Sequence, residues 1–432
     1  MASWFAVRTL LGSRWPLFVV IVLISISGLS IARRPRPKTF SYYRDVAPIL
    51  GRRCVRCHSD EGLAARPRLD TYDEVSKYVG AIALSVQTRM MPPWGADGTG
   101  LCRTWRDSLW LSDPEIATLV HWQEQSMPRG DPAERVAAEV DSPRSGVAKG
   151  EPQPELDHID AVLDTGADVT AGLGPSAYRC FVADPSLSRD RLLTGIRVIS
   201  TDPRMVAQVT IYAPDSAAAE ADALRLDNED SAPGYSCYGS ARVSPARLIA
   251  SWTWDSPALP FPPGTGLRLE ASRKLVVQVH YNVITSGLGA KTHTRIEMSL
   301  DDGVREASFI SLSAQGLSLA PGRTYAEAAG ELTAEGPMTV LAVAPQMHTL
   351  GRTMQVDHQR GATRSCAASF DHWDFYRQRL FVYDEPLRVE AGDRLRVSCV
   401  YNTQSATQPV QDGETIHDEA CTANLYVVAP GR

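Results

Sequence analysis

From Arg204 to the end of this 432-residue chain, apolar residues recur at every second position or in short unbroken runs. Residues 204–212, 274–282, 338–344, 354–357, 395–400 and 423–428 all carry this pattern, with Gly, Pro, Asp and Asn between them. A period of two belongs to strands, because successive side chains leave a strand on opposite faces. The second part of the chain is therefore expected to be all-β and sandwich-like. Residues 156–432 exceed the usual size of one sandwich, so two are expected in tandem, over 156–300 and 301–432.

The region before it reads differently. Residues 43–50 and 72–84 carry helix-like apolar spacing, and Ser112-Asp113-Pro114-Glu115 opens a third helix. Ser112 suits the cap, Pro114 and Glu115 suit the first turn, and Ile116, Leu119, Val120 and Trp122 form a buried stripe. Residues 131–155 lose all periodicity and read as a linker.

Within the helical region, Cys54-Val-Arg-Cys57-His58 is a CxxCH motif. It suits covalent haem: Cys54 and Cys57 would add to the vinyl groups, and His58 would ligate the iron from the proximal side. Zinc sites and redox dithiols use the same spacing. Met91, in Met90-Met91-Pro92-Pro93-Trp94, is the favoured second axial ligand, with Met90 as its competitor and core packing as the bland alternative for both.

A membrane or export signal is expected in residues 1–38. Arg8 and Arg14 precede an uncharged run over 15–32 that suits either a secretory signal or a short anchor. Arg33, Arg34, Arg36 and Lys38 follow it, and the positive-inside rule alone would leave the bulk of the chain in the cytoplasm. Haem attachment and disulfides argue for the opposite side, hence a periplasmic or extracytoplasmic protein held by residues 15–32. Two of eight cysteines belong to the CxxCH motif; the other six allow up to three disulfides whose pairing stays open. A net charge of -6, with 44 basic against 50 acidic residues, excludes the basic field that nucleic acid binding needs.

Residues 40–132, through Asp45-Val46-Ala47-Pro48-Ile49-Leu50, CVRCH, MMPPW, Leu111-Ser112-Asp113-Pro114-Glu115-Ile116 and Gly130-Asp131-Pro132, resemble bacterial cytochrome c modules found ahead of copper-dependent monooxygenase domains. The β region resembles the copper type II, ascorbate-dependent monooxygenases, the group of peptidylglycine alpha-hydroxylating and dopamine beta-monooxygenases. Its landmarks are Tyr178-Arg179-Cys180-Phe181, Asp202-Pro203-Arg204, Gln278-Val279-His280-Tyr281-Asn282, Met347-His348 with Gly351, Trp373-Asp374-Phe375, and Asp418-Glu419 with Cys421. The resemblance implies an all-α cytochrome c domain (39–130) followed by two tandem all-β jelly-roll-like sandwiches, each supplying three ligands to one copper, with substrate between them. It also implies Cys180–Cys237 and Cys399–Cys421 pairs, leaving Cys102 and Cys366 unassigned.

The implied copper ligands are mostly absent. Ala207-Gln208 stands where a His-His pair is expected, leaving His280. Gln346-Met347-His348 keeps one histidine, and Ala420 replaces a methionine. Alanine donates nothing and glutamine is a poor copper ligand. A shifted site using His348 and His417 is the remaining alternative, while His121, His158 and His372 read as ordinary structural residues. The sequence thus points to an exported monohaem c-type cytochrome whose β module has become a binding or docking scaffold, working with a redox partner or electron-transfer complex. The rival is a copper monooxygenase fed electrons by its own haem.

Overall fold

The strand Leu275–Asn282 is buried along nearly its whole length, whereas Ala326–Thr333 alternates half-buried and exposed residues. These two patterns separate a central strand covered on both faces from an edge strand with one face in water. The structure is a computed structural model that describes residues 38–59, 66–134, 156–170, 176–256, 258–282 and 289–429. Leu275–Asn282 lies at the centre of a five-stranded antiparallel sheet, between Ser176–Ala183 and Val206–Pro214, with Tyr235–Ser236 and Ala246–Thr253 at its edges. Ala326–Thr333 edges a four-stranded sheet that continues through Arg394–Tyr401 and Gly351–Arg360 to Thr363–Phe370.

Both sheets pack against one nine-stranded sheet. Its first part holds Thr294–Leu300, Arg191–Ser200 and Thr265–Leu269; its second holds Arg305–Ser313, Thr422–Val428, Met338–Gln346 and Phe381–Val389. The parts join where Arg305–Ser313 runs parallel to Thr265–Leu269, with Ala307 opposite Leu267. One core fills the first sandwich with residues such as Ile196, Val209, Val277 and Ile296. A second fills the other with Val340, Met354, Val356, Leu395 and Leu425. A helix unforeseen from sequence, Ala217–Glu229, interrupts the β half, and the Ser216 side chain caps it by accepting from the Ala219 N–H.

The expected multidomain chain with a separate all-α cytochrome c domain is corrected. The molecule is mainly β-sheet, and residues 40–432 form one compact unit. The helical segments are few: Ala47–Arg53, entered through a wide turn at Tyr42–Val46, then Tyr72–Gln87 and Asp113–Glu124. Between the last two, the chain leaves the helices and joins the second β core. Trp94, Ala96, Trp105 and Leu109 are buried there. Ala96 bridges to Phe370, Trp105 bridges to Tyr383, and Cys102 is disulfide-bonded to Cys366. Two large indoles buried in a β-sandwich cannot belong to an independent helical domain. One continuous sheet runs through both sandwiches.

The apolar run over 15–32 and residues 135–155 of the expected linker lie outside the described residues. Among those described, no helix is long and apolar enough to cross a membrane.

Candidate functional site

The helix Ala47–Arg53 ends on the CxxCH motif. Cys54 and Val55 both donate to the Leu50 carbonyl, and Cys57 and His58 both donate to that of Cys54, at 3.0 and 2.9 Å. One tight turn therefore gathers Cys54, Cys57 and His58. Cys54 is buried, Cys57 is half-buried, and both are free thiols. Burial pushes the Cys54 thiol up to about 12, helped by the neighbouring Cys57, and raises Cys57 as well. A redox dithiol needs the opposite, a thiol acidified by its surroundings. The chain returns over His58, whose Nδ1 lies 2.9 Å from the Pro67 carbonyl. A carbonyl only accepts, so Nδ1 carries the proton and Nε2 keeps its lone pair, the tautomer a metal-ligating histidine requires.

Met91 and Met90 face different surroundings. Met91 lines a small depression with Val86 and Leu111, two members of the core that contains Cys54. Met90 lines a cleft against Trp94, Phe370 and Trp373 of the β module. Of the pair, Met91 is the one on the Cys54 side. Cys54, Cys57 and His58 are the residues that would hold a covalent haem, and Met91 lies on the same side of the chain as Cys54.

The motif is fastened to the β module. Arg56 Nη2 donates to the Asp255 carbonyl at 2.5 Å. Burial would raise the Asp255 carboxyl, but Arg379 at 3.2 Å and the Thr253 hydroxyl at 2.5 Å hold it below the usual carboxylate range. Arg377 lies over the Trp254 ring, 4.7 Å from its centroid. The segment carrying these arginines continues back to Tyr376 and Phe375, which reach the second feature of the site.

The two histidines left from the implied copper sets sit in that feature, an aromatic cluster. His280 pairs across the sheet with Tyr178 on one side and Gln208 on the other. Its ring stacks on Tyr178 at 4.0 Å and on Tyr376 at 5.4 Å. Burial among these rings lowers its basicity to about 3, so it is neutral. His348 lies edge-on to Tyr238 at 5.1 Å, and Phe375 reaches both imidazoles, at 5.9 and 6.2 Å. His348 Nδ1 donates to the Asp418 carbonyl at 2.9 Å, while its Nε2 lies 3.3 Å from where a Cβ on Gly239 would stand. Gly239 holds φ at +76°, and the Gln346 amide donates to its carbonyl at 3.0 Å. The loop carrying Tyr238 and Gly239 thus closes over His348. Ala420 contributes its carbonyl to the Tyr401 hydroxyl at 2.8 Å.

These residues do not fit either implied copper set. Around His280 stand two phenol rings and an amide. Around His348 stand a phenol ring, a glycine and the acidic residues Asp412, Glu414, Asp418 and Glu419, but no second imidazole or thioether of the implied set. His417, the alternative partner, is exposed on the Thr415–Asp418 loop. The remaining histidines serve structure: His358 pairs with Asp393 at 2.7 Å, and His293 with Asp164 at 2.6 Å. Among the described residues, no group of three His, Cys, Asp or Glu side chains converges. Sequence reasoning caught Tyr178 and Phe375 as landmarks but missed Tyr238 and Tyr376, whose roles come from loops meeting across the two sandwiches. Beside the cluster, a cavity of about 270 Å³ opens between the sheets, with Gln208, Gln278, Gln346 and His348 in its wall.

All three cysteine pairs are present: Cys180–Cys237, Cys399–Cys421 and the previously unassigned Cys102–Cys366.

Comparison with known proteins agrees with the β region's resemblance. Residues 317–428 match the family described as copper type II ascorbate-dependent monooxygenase, C-terminal domain. Peptidylglycine alpha-amidating monooxygenase of Rattus norvegicus is 25% identical over 197 residues, 42% of this chain. The chain spans only 19% of that relative's length. Among solved structures, the major capsid protein P2 of bacteriophage PM2 (11% identity, 63% of this chain and 98% of that one, TM-score 0.25) and PNGF-II (8% identity, 74% and 71%, TM-score 0.28) are too distant to carry an argument. The β region is disulfide-bonded, and residues 317–428 within it are similar to the C-terminal domain of the copper type II ascorbate-dependent monooxygenases.

Proposed function

We propose that this protein is an exported electron-transfer protein carrying one covalent haem, whose monooxygenase-like module has lost copper chemistry and acts as a binding scaffold. One observation carries the second half of this reading: the two surviving histidines are packed into a single aromatic cluster through Phe375, and among the described residues no group of three His, Cys, Asp or Glu side chains converges. The first half is supported by the free Cys54 and Cys57 thiols on one turn and by the His58–Pro67 bond. When bound, haem supplies one-electron chemistry, with thioether ligation favouring a raised potential. The turn that would hold the group is itself fastened to the β module, since Arg56 donates to the Asp255 carbonyl, and residues 375–379 run from that contact to His280. Three disulfides suit an oxidising compartment outside the cytoplasm.

The test is covalent haem. The full chain, produced in an export system that attaches haem, should gain the mass of one haem, and Cys54→Ser with Cys57→Ser should abolish that gain. A wild-type chain that leaves such a system colourless would overturn the reading.

A further inference from the structure

We propose that Cys102–Cys366 is an exchangeable disulfide, opened by a dithiol protein while the two sandwich disulfides stay closed, and that opening it frees the loop over residues 98–103. This stands apart from the haem and from the scaffold reading.

The three disulfides differ in access. Cys180, Cys237, Cys399 and Cys421 are at most 2% exposed. Cys102 and Cys366 are only half-buried: Cys102 follows Leu101, which is 92% exposed, and Cys366 follows the exposed Ser365 on the edge strand Thr363–Phe370. Exchange requires a thiolate to reach a disulfide sulfur, so access separates a labile disulfide from an inert one. They differ as well in what they join. Cys180–Cys237 and Cys399–Cys421 link positions 57 and 22 apart inside packed apolar clusters. Cys102–Cys366 spans 264 positions and ties the arm over residues 94–109 to the β module.

The arm is anchored at two places and nearly bare between them. At the first, the Asp97 N–H donates to the Ser369 carbonyl at 2.8 Å, and Trp94 and Ala96 are buried in the second β core. At the second, the Arg106 N–H donates to the Val382 carbonyl at 2.9 Å, the Asp384 N–H donates to that of Thr104 at 3.1 Å, and Trp105 is buried. The Trp105 Nε1–H donates to the Asp97 carbonyl at 2.8 Å and closes the base of the loop. Among the described residues, none over 98–103 shares a hydrogen bond with the β module. There the loop is held by the disulfide and by Arg103, whose guanidinium lies 5.9 Å from the Tyr383 ring centroid. Breaking the S–S bond therefore releases the loop and leaves both anchors in place, a local opening rather than unfolding.

The attacking thiolate forms a mixed disulfide with Cys366 and expels Cys102 as a thiolate, which the adjacent Arg103 cation favours. The partner's second thiol then displaces Cys366. The partner leaves as a disulfide, having given two electrons, and its two protons end on Cys102 and Cys366.

The experiment takes the full chain without denaturant, caps its free thiols with iodoacetamide, and then offers reduced thioredoxin as the dithiol probe. Thiols released over time are labelled with N-ethylmaleimide and located by peptide mass. Cys102 and Cys366 should label at least ~10-fold faster than Cys180, Cys237, Cys399 and Cys421. Trypsin should then cut after Arg103, where the untreated chain resists, and reoxidation with oxidised glutathione should restore the resistance. Cys366→Ala should show the same cut with no reductant present. Equal labelling of the three pairs, no labelling of Cys102 and Cys366 until circular dichroism shows the chain unfolded, or labelling without the cut after Arg103 would each overturn the proposal.

Discussion

Glu419 shows how a residue kept from the resemblance serves the backbone. Its two carboxylate oxygens accept the His348 and Leu350 N–H groups at 2.8 and 2.7 Å, fixing the turn between them. Burial pushes this carboxyl up to about 7, against the pull of those same N–H donors. A folded value above the unfolded one means that the folded state holds the proton more tightly. Its contribution to stability is fully present below the unfolded value near 4.5 and is lost as pH rises through about 7. Urea unfolding across that window should show the falling limb in the wild type and a flatter one in Glu419→Gln. The substitution should also cost about 1–3 kcal/mol, because an amide leaves one N–H facing a second donor. The residue-level site was half legible: the CxxCH turn is local chemistry, and its Cys and His fall together because five consecutive positions bring them there. Tyr238 and Tyr376 were invisible because each stands next to the other residues only after two distant loops meet.

At the scale of elements, sequence periodicity identified strands well and partners poorly. The capped start at Ser112 is as read, since the Ser112 and Glu115 side chains and backbones bond reciprocally. Period-two runs at Leu275–Asn282 and Met338–Gln346 became strands. Nothing in such runs tells a strand which sheet it will join, so the continuous nine-stranded sheet could not be foreseen. The arm over residues 94–109 has no period at all, and its place is decided by Trp94 and Trp105. Trp105 stacks on Tyr383 at 4.8 Å and lies against Phe370 and Phe381. Trp105→Ala should therefore cost roughly 3–5 kcal/mol by chemical denaturation. Removing the Cys102–Cys366 link by paired Cys→Ala substitution should cost roughly 2–4 kcal/mol and open the arm to limited proteolysis. Unchanged protease resistance would mean that the indoles alone hold it.

For the whole molecule, the helices keep a core of their own, but the arm over residues 94–109 is buried in the second β core and Arg56 donates to the Asp255 carbonyl, so the parts should unfold together. A single calorimetric transition is expected, and Arg379→Ala, which strips Asp255 of its buried partner, should lower it by several degrees or split it. The same continuity places the CxxCH turn one loop away from the aromatic cluster that stands where copper ligands are missing. The most direct test is the copper retained per chain, measured by elemental analysis after copper loading and gel filtration, with haem measured on the same sample. One haem and no stoichiometric copper, unchanged in His280→Ala and His348→Ala, is the predicted result. A full equivalent of copper that disappears when either histidine is replaced would contradict it.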